Sequence, residues 1–239
     1  MGLDYLYWPR MGSPTSGYFD APANGTPDTP LLPASPFPVR LSAMARSAEI
    51  QRHTAETRIA LSLEIDGSGR AQIATRIPFL DHMLTLFAKH SLTNLTVETH
   101  GDIEVDFHHT VEDTGIDLGQ AFAKALGDRK GIARYGHAYV PMDETLARAV
   151  IDFSGRPFID FRSPAPVAQN HFPYSLLEEF LRAFSNNAAA NLHLEVLYGR
   201  DSHHMMEAAF KSLARAIDMA CRVDPRVSGV PSTKGTLTA

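Results

Sequence analysis

The chain has 239 residues, of which 44% are hydrophobic and 21% are charged, and its formal net charge is −5. This composition is typical of a globular protein with a sizeable core, and the negative charge argues against a general binder of nucleic acid or membrane surfaces. No apolar run reaches the roughly 18 residues that a transmembrane helix needs. The single cysteine, Cys221, excludes an intrachain disulfide and suits a reducing compartment, so we expect a cytoplasmic protein.

Residues 1–45 differ in composition from the rest of the chain. They are rich in Pro, Gly, Ser and Thr and have neither a helical nor a strand period. Such a segment cannot bury enough apolar surface to offset the entropy lost on ordering. We therefore predict a disordered extension over residues 1–45, a folded domain over 46–226 and a C-terminal tail over 227–239.

The first half of the predicted domain spans about residues 52–134. Alternating apolar residues predict strands, and apolar residues at helical spacing predict helices. A Gly-Ser turn predicts that the first two strands pair with each other. In chain order, the predicted elements are strands at 58–65 and 71–77, a helix at 81–90, strands at 95–99 and 103–107, and a helix that includes 116–126.

The second half, at about residues 145–222, repeats this order. Its predicted elements are a hairpin of strands at 147–153 and 158–161, a helix at 174–190, a strand at 193–198, and a helix that includes 208–220. The repetition predicts an α+β fold made by tandem duplication of a ββαβα unit, with two mixed sheets and the helices packed between them.

Each half also carries a paired-histidine motif, DFHHTVED at 106–113 and DSHHMMEA at 201–208. In both motifs, the first histidine precedes a glutamate by four residues, so that on a helix the two side chains share one face. Clustered neutral imidazoles and carboxylates are the usual ligands of borderline divalent metals. The absence of a thiolate favours Mn, Fe or catalytic Zn over a structural zinc site.

The repeat extends the set of candidate metal ligands to the helix before each motif, where His82 and Glu179 occupy equivalent positions. One division that obeys the pseudo-symmetry gives two sets of four ligands. The first metal would take His82, His109, His203 and Glu207, and the second would take Glu179, His108, Glu112 and His204.

Four segments together resemble the imidazoleglycerol-phosphate dehydratase family: FLDHM at 79–83, the two paired-histidine motifs, and PSTKG at 231–235. The resemblance covers residues 52–237. It implies a hydro-lyase of histidine biosynthesis, which eliminates water from imidazoleglycerol phosphate to give imidazole acetol phosphate. It further implies two Mn²⁺ ions per active site, bridged by the imidazolate of the substrate, and a 24-subunit homo-oligomer with active sites between subunits.

The resemblance also implies roles for individual residues. Glu56 or Glu207 would move the proton of the substrate's side-chain carbon, and the residues alone do not decide between them. Glu56 and His82 would contact the substrate. The phosphate group would be bound by Arg134, Arg156, Lys211, Ser232 and Lys234. In the family, the position of Glu179 is often histidine.

Two other classes of protein would use similar residues. A dinuclear hydrolase of phosphate esters would share the metal ligands and the cations, but it would release phosphate. A metal-storage or structural shell protein would use paired His and Glu without needing Arg134, Arg156 and Lys211 at one site.

Overall fold

The computed structural model describes residues 46–237, and the predicted extension at 1–45 lies outside these residues. The first half contains β1 (Ser47–His53), β2 (Thr57–Glu64), β3 (Ala71–Ala74), α1 (Pro78–Ser91), β4 (Asn94–Gly101) and α2 (His108–Leu126). The second half contains β5 (Tyr135–Met142), β6 (Thr145–Asp152), β7 (Phe158–Arg162), α3 (Leu176–Ala188), β8 (Asn191–Tyr198) and α4 (Ser202–Cys221). Among the described residues, no helix is both long enough and apolar enough to cross a bilayer.

The two halves form four-stranded sheets with the same topology. The first sheet has the order β1-β2-β4-β3 and the second has the order β5-β6-β8-β7. In each sheet the first three strands of this order are antiparallel and the last pair is parallel, so both sheets are mixed. The predicted α+β fold with a duplicated unit is confirmed, and the structure adds one strand, β1 or β5, to each predicted half.

The predicted pairing within each half was wrong in one respect. The strands at 58–65 and 71–77 do not form a hairpin, because β4 lies between β2 and β3 and pairs with both. The same holds for β6 and β7, which both pair with β8. The connections β3-α1-β4 and β7-α3-β8 are crossovers between parallel strands, and this arrangement requires a helix between the strands rather than a tight turn.

The strand predicted at 103–107 is also absent, since this segment forms a turn in which the Val105 amide donates to the Asp102 carbonyl (2.8 Å). Val105 is 67% exposed, which shows that the apolar alternation in this segment does not report a buried strand face. The turn leads directly into α2 and places the first paired-histidine motif at the start of that helix.

The helices of the two halves pack against each other between the sheets, α1 against α4 and α2 against α3. Glycine permits the close approach of α2 and α3, because a Cβ atom at Gly119 would lie 2.6 Å from the Phe184 carbonyl oxygen. Phe122 of α2 stacks on Phe153 and meets Phe184 edge to face, with ring centroids 6.2 and 5.7 Å apart. This packing brings the start of each motif helix beside a helix from the other half.

Candidate metal centre

Both paired-histidine motifs lie at the start of a helix, and the aspartate of each motif accepts a hydrogen bond from the amide of the first histidine. The His108 amide donates to Asp106 Oδ1 (2.7 Å), and the His203 amide donates to Asp201 Oδ1 (2.8 Å). A side-chain oxygen at this position satisfies one of the unpaired amides at a helix start. The aspartates therefore fix the histidines in place.

One group of three candidate ligands forms where α1 meets α4. His82 Nε2 and His203 Nε2 each lie 3.3 Å from Oε2 of Glu207. The ring of Phe79 packs edge to face on His203, with centroids 5.2 Å apart, and limits its movement. This arrangement unites residues from both halves, as the duplication predicts.

Glu207 is only 7% exposed, and its other oxygen, Oε1, accepts a hydrogen bond from Lys211. Burial alone would raise the pKa of this carboxyl group. The hydrogen bond and charge of Lys211, together with His82, outweigh that effect and lower the pKa below its usual value. The Glu207 side chain is thus held as a carboxylate between two imidazoles.

This group fits a divalent metal. Its three ligand atoms, two imidazole nitrogens and one carboxylate oxygen, all lie within 4.8 Å of one another. Such a donor set suits Mn, Fe or Zn and leaves positions for further ligands. Within residues 46–237, no other set of three His, Cys, Asp or Glu side chains is gathered so closely.

The group related to this one by the pseudo-symmetry, on α2 and α3, is more open. His108 Nε2 lies 3.5 Å from Glu112 Oε2, and Glu179 is half-buried on α3, the helix that packs against α2. Here the position of His82 is taken by a carboxylate. Two carboxylates repel each other, so a close approach of Glu179 to Glu112 needs a cation between them.

The second histidine of each motif has different partners from the first, because consecutive helical residues are separated by about 100°. His109 Nδ1 lies 3.0 Å from Asp102 Oδ2, and His204 Nδ1 lies 2.7 Å from Glu144 Oε2. These carboxylates raise the pKa of both histidines. Within one chain, His109 therefore does not join His82, His203 and Glu207, and the assignment of two four-ligand sets remains a prediction.

Sequence reasoning missed Asp102 and Glu144, the partners of the second histidines. A carboxylate on Nδ1 fixes the imidazole tautomer and leaves Nε2 available to a metal. Glu144 is itself anchored by the backbone amides of Arg200 and Asp201, both 3.1 Å from its Oε1. The Asp201 amide first, and His204 second, lower the pKa of Glu144 to about 2.

A signal for Glu144 does exist in the chain. Glu56 immediately precedes β2 and Glu144 immediately precedes β6, the equivalent strand of the second half. The two glutamates are therefore repeat partners, and both lie beside the second histidine of a motif. Glu56 Oε1 is 3.7 Å from His109 Nε2, and the Glu56 side chain is exposed.

Four of the five predicted phosphate-binding residues line one cavity of about 550 Å³: Arg134, Arg156, Ser232 and Lys234. The fifth, Lys211, lies against Glu207 instead. Arg134 donates from Nε and NH2 to Asp152 (2.7 and 3.0 Å) and from NH1 to the Pro231 carbonyl (2.9 Å). A guanidinium has five N–H donors, so Arg134 retains two for a ligand.

The fold and the site together define a class: a duplicated α+β domain that gathers histidines and a carboxylate from both halves into a candidate divalent-metal centre. The profile of the family described as imidazoleglycerol-phosphate dehydratase matches residues 75–217 of the chain. A protein of that name from Geobacter metallireducens is 58% identical over 195 residues, which cover 81% of this chain and 100% of the relative. The chain therefore belongs to the imidazoleglycerol-phosphate dehydratase family.

Solved structures of the family show the same fold. Imidazoleglycerol-phosphate dehydratase from Staphylococcus aureus subsp. aureus N315 is similar with a TM-score of 0.67 and 38% identity, over 74% of this chain and 99% of that chain. The Pyrococcus furiosus enzyme, solved in complex with (S)-C348, has a TM-score of 0.67 and 32% identity, over 78% of this chain and 99% of that chain.

Proposed function

We propose that the protein is a Mn-dependent imidazoleglycerol-phosphate dehydratase, a hydro-lyase of histidine biosynthesis that acts in the cytoplasm. Within the family to which the chain belongs, the observation that carries this proposal is the group formed by His82, His203 and Glu207. The cavity lined by arginine, lysine and serine side chains supplies the cationic surface that a phosphorylated substrate needs.

In this proposal His82, His203 and Glu207 hold one metal, and His108, Glu112 and Glu179 hold the other. When bound, the two ions would act as Lewis acids on the imidazole ring of the substrate, stabilising it as a bridging imidazolate that assists loss of the hydroxyl group. Asp201 and Asp106 would help to hold the starts of the two motif helices at this site through their hydrogen bonds to the His203 and His108 amides.

We assign the proton transfer to Glu56 rather than to Glu207. Both oxygens of Glu207 are engaged, Oε2 beside the two imidazoles and Oε1 by Lys211. Glu56 is exposed on the turn before β2 and has one charged neighbour, His109 Nε2 at 3.7 Å, so its carboxylate would be accessible to a proton on the side-chain carbon of the substrate. Its repeat partner Glu144 is held more tightly, by two backbone amides and His204.

The second histidines support active sites shared between subunits of a homo-oligomer, which we propose to be the 24-subunit assembly. His109 and His204 are not part of the triad of their own chain, and their Nδ1 atoms contact Asp102 and Glu144, so a neighbouring subunit would bring their Nε2 atoms to a metal. The outer face of the second sheet supports self-association, since Tyr139 and Val150 are 55% and 40% exposed there. Gln51 and Ser62 occupy the equivalent positions of the first sheet.

Turnover tests this function directly. Metal-free protein would be loaded with Mn²⁺ and given imidazoleglycerol phosphate, with the enolised keto product followed by absorbance and free phosphate assayed in parallel. The proposal expects product without phosphate release. Absence of turnover at full metal loading would refute the proposal, whereas phosphate release would favour a phosphate-ester hydrolase.

A further inference from the structure

Arg129 is a buried cation that none of the roles above uses. It follows α2 in a left-handed backbone conformation, with a φ of 61°, and only 5% of it is exposed. A buried guanidinium must find hydrogen-bond acceptors to offset its desolvation. Arg129 finds two backbone carbonyls: NH2 donates to Ala188 (3.0 Å) at the end of α3, and NH1 donates to Leu237 (2.8 Å).

The bond to Leu237 fixes the distal end of the segment that lines the phosphate cavity. The proximal end is fixed by Arg134, which donates to the Pro231 carbonyl. Between these two anchors the chain folds on itself, because the Lys234 amide donates to Ser232 Oγ (3.2 Å) and the Gly235 amide donates to the Ser232 carbonyl (3.0 Å). Two arginines therefore hold the two ends of one short loop.

Gly155 connects this anchor to a second segment that lines the cavity. A Cβ atom at Gly155 would lie 1.7 Å from the Leu237 carbonyl oxygen and 2.9 Å from Arg129 NH1, so only glycine allows this contact. The next residue is Arg156, which lines the cavity. The Leu237 side chain is 4% exposed, so apolar burial adds to the hydrogen bond in holding the tail.

We propose that Arg129 is a positioning residue for phosphate binding, which holds the Ser232–Lys234 loop in the cavity that Arg156 also lines by anchoring the Leu237 carbonyl. Arg129 does not itself line the cavity, and it acts through the backbone of the tail. An anchored loop presents its hydroxyl, amide and ammonium donors without an ordering cost at the moment of binding. The inference rests on the proposed function in one respect, namely that the phosphate group of the substrate binds in this cavity.

The test compares Arg129→Met with Arg226→Met, a control in which the exchanged arginine is 87% exposed and pairs with Asp224 two residues away. For Arg129→Met, we expect KM for imidazoleglycerol phosphate to rise about tenfold or more, with kcat within about twofold, because the loop no longer binds phosphate in a preformed shape. Hydrogen exchange should accelerate in residues 231–237 and stay unchanged in β4. The control should match the wild type in both measurements.

A folded Arg129→Met variant with unchanged KM and unchanged tail exchange would overturn the inference. If this variant does not fold, a chain that ends at Thr236 removes the acceptor of the hydrogen bond, Leu237, instead of the donor. This chain should show the same rise in KM. An unchanged KM in that chain would equally overturn it.

Inorganic phosphate separates this inference from the proposed function. If the wild type shows no turnover, the proposed function fails, and the exchange experiment is repeated with inorganic phosphate as the ligand. Slower exchange of residues 231–237 with phosphate in the wild type, lost in Arg129→Met, supports the anchor. Equal protection in both proteins refutes it.

Discussion

Replacing Glu207 by glutamine removes the one charge that the triad contributes and keeps the size of the side chain. In the metal-free protein, this leaves Lys211 without its anion in a place where the two side chains are only 17% and 9% exposed. Breaking such a buried pair costs about 3 kcal/mol. For a chain of this size, that loss lowers Tm by roughly 6–12 °C.

The same substitution removes a proposed ligand of one of the two metals, so the stabilisation by Mn²⁺ should be smaller than in the wild type. A ligand at 100 times its Kd stabilises the native state by about 2.7 kcal/mol, which corresponds to a rise in Tm of roughly 5–10 °C for the wild type. Thermal unfolding with and without Mn²⁺ measures both effects. Glu195→Gln, on the outer face of the second sheet, is the matched control and should keep the full Mn²⁺ shift. An equal Mn²⁺ shift in Glu207→Gln would refute the ligand role of this residue.

Three further predictions follow from other contacts. Glu144→Ala should lower the affinity for the metal that His204 is proposed to bind by about 10–100-fold, because it removes the carboxylate on Nδ1. A Mn²⁺ titration measures this affinity, and a Kd equal to that of the control Glu49→Ala would contradict the prediction. Gly119→Ala should lower the free energy of unfolding by about 1–3 kcal/mol, because its Cβ meets the Phe184 carbonyl at 2.6 Å; a more stable variant in urea would disprove the close approach. The partly exposed Arg46–Asp66 pair should contribute about 0.5–1 kcal/mol, and the hydrogen bond from Arg46 keeps the pKa of Asp66 below the ordinary 3.8. This contribution is present above pH 3.8 and is lost as the pH falls through the lowered pKa of Asp66. The urea midpoints of Asp66→Asn and the wild type should therefore converge in acid, and a difference between them that stays constant with pH would contradict the prediction.

The duplication and the motif helices could be predicted because their signals are local. The spacing of His203 and Glu207 places both on one helical face wherever that helix packs, and the repeat pointed to His82 as their partner. The structure brings these three together. The four residues that share a cavity were predicted to bind phosphate only from the resemblance, since each alone is typical of a polar surface residue.

What could not be predicted depends on contacts between distant parts of the chain. The turn after β2 indicates that the chain reverses, but it does not specify that β4 takes the place beside β2 and moves β3 to the edge. The roles of Asp102 and Glu144 depend in the same way on where two loops fold against the motif helices. Glu144 could have been predicted only by comparing the residues that precede β2 and β6, where Glu56 and Glu144 occupy equivalent positions of the repeat.

We propose that each metal is completed by histidines from two subunits, and subunit complementation is the decisive experiment. His203→Ala disrupts the triad, and His109→Ala removes the histidine that a neighbour would supply, so each variant alone should be inactive. When the two are unfolded together and reassembled as mixed oligomers, about one quarter of the sites should combine an intact triad with an intact His109. Recovery of about a quarter of wild-type turnover is the predicted result, and mixed oligomers as inactive as either parent would contradict the account.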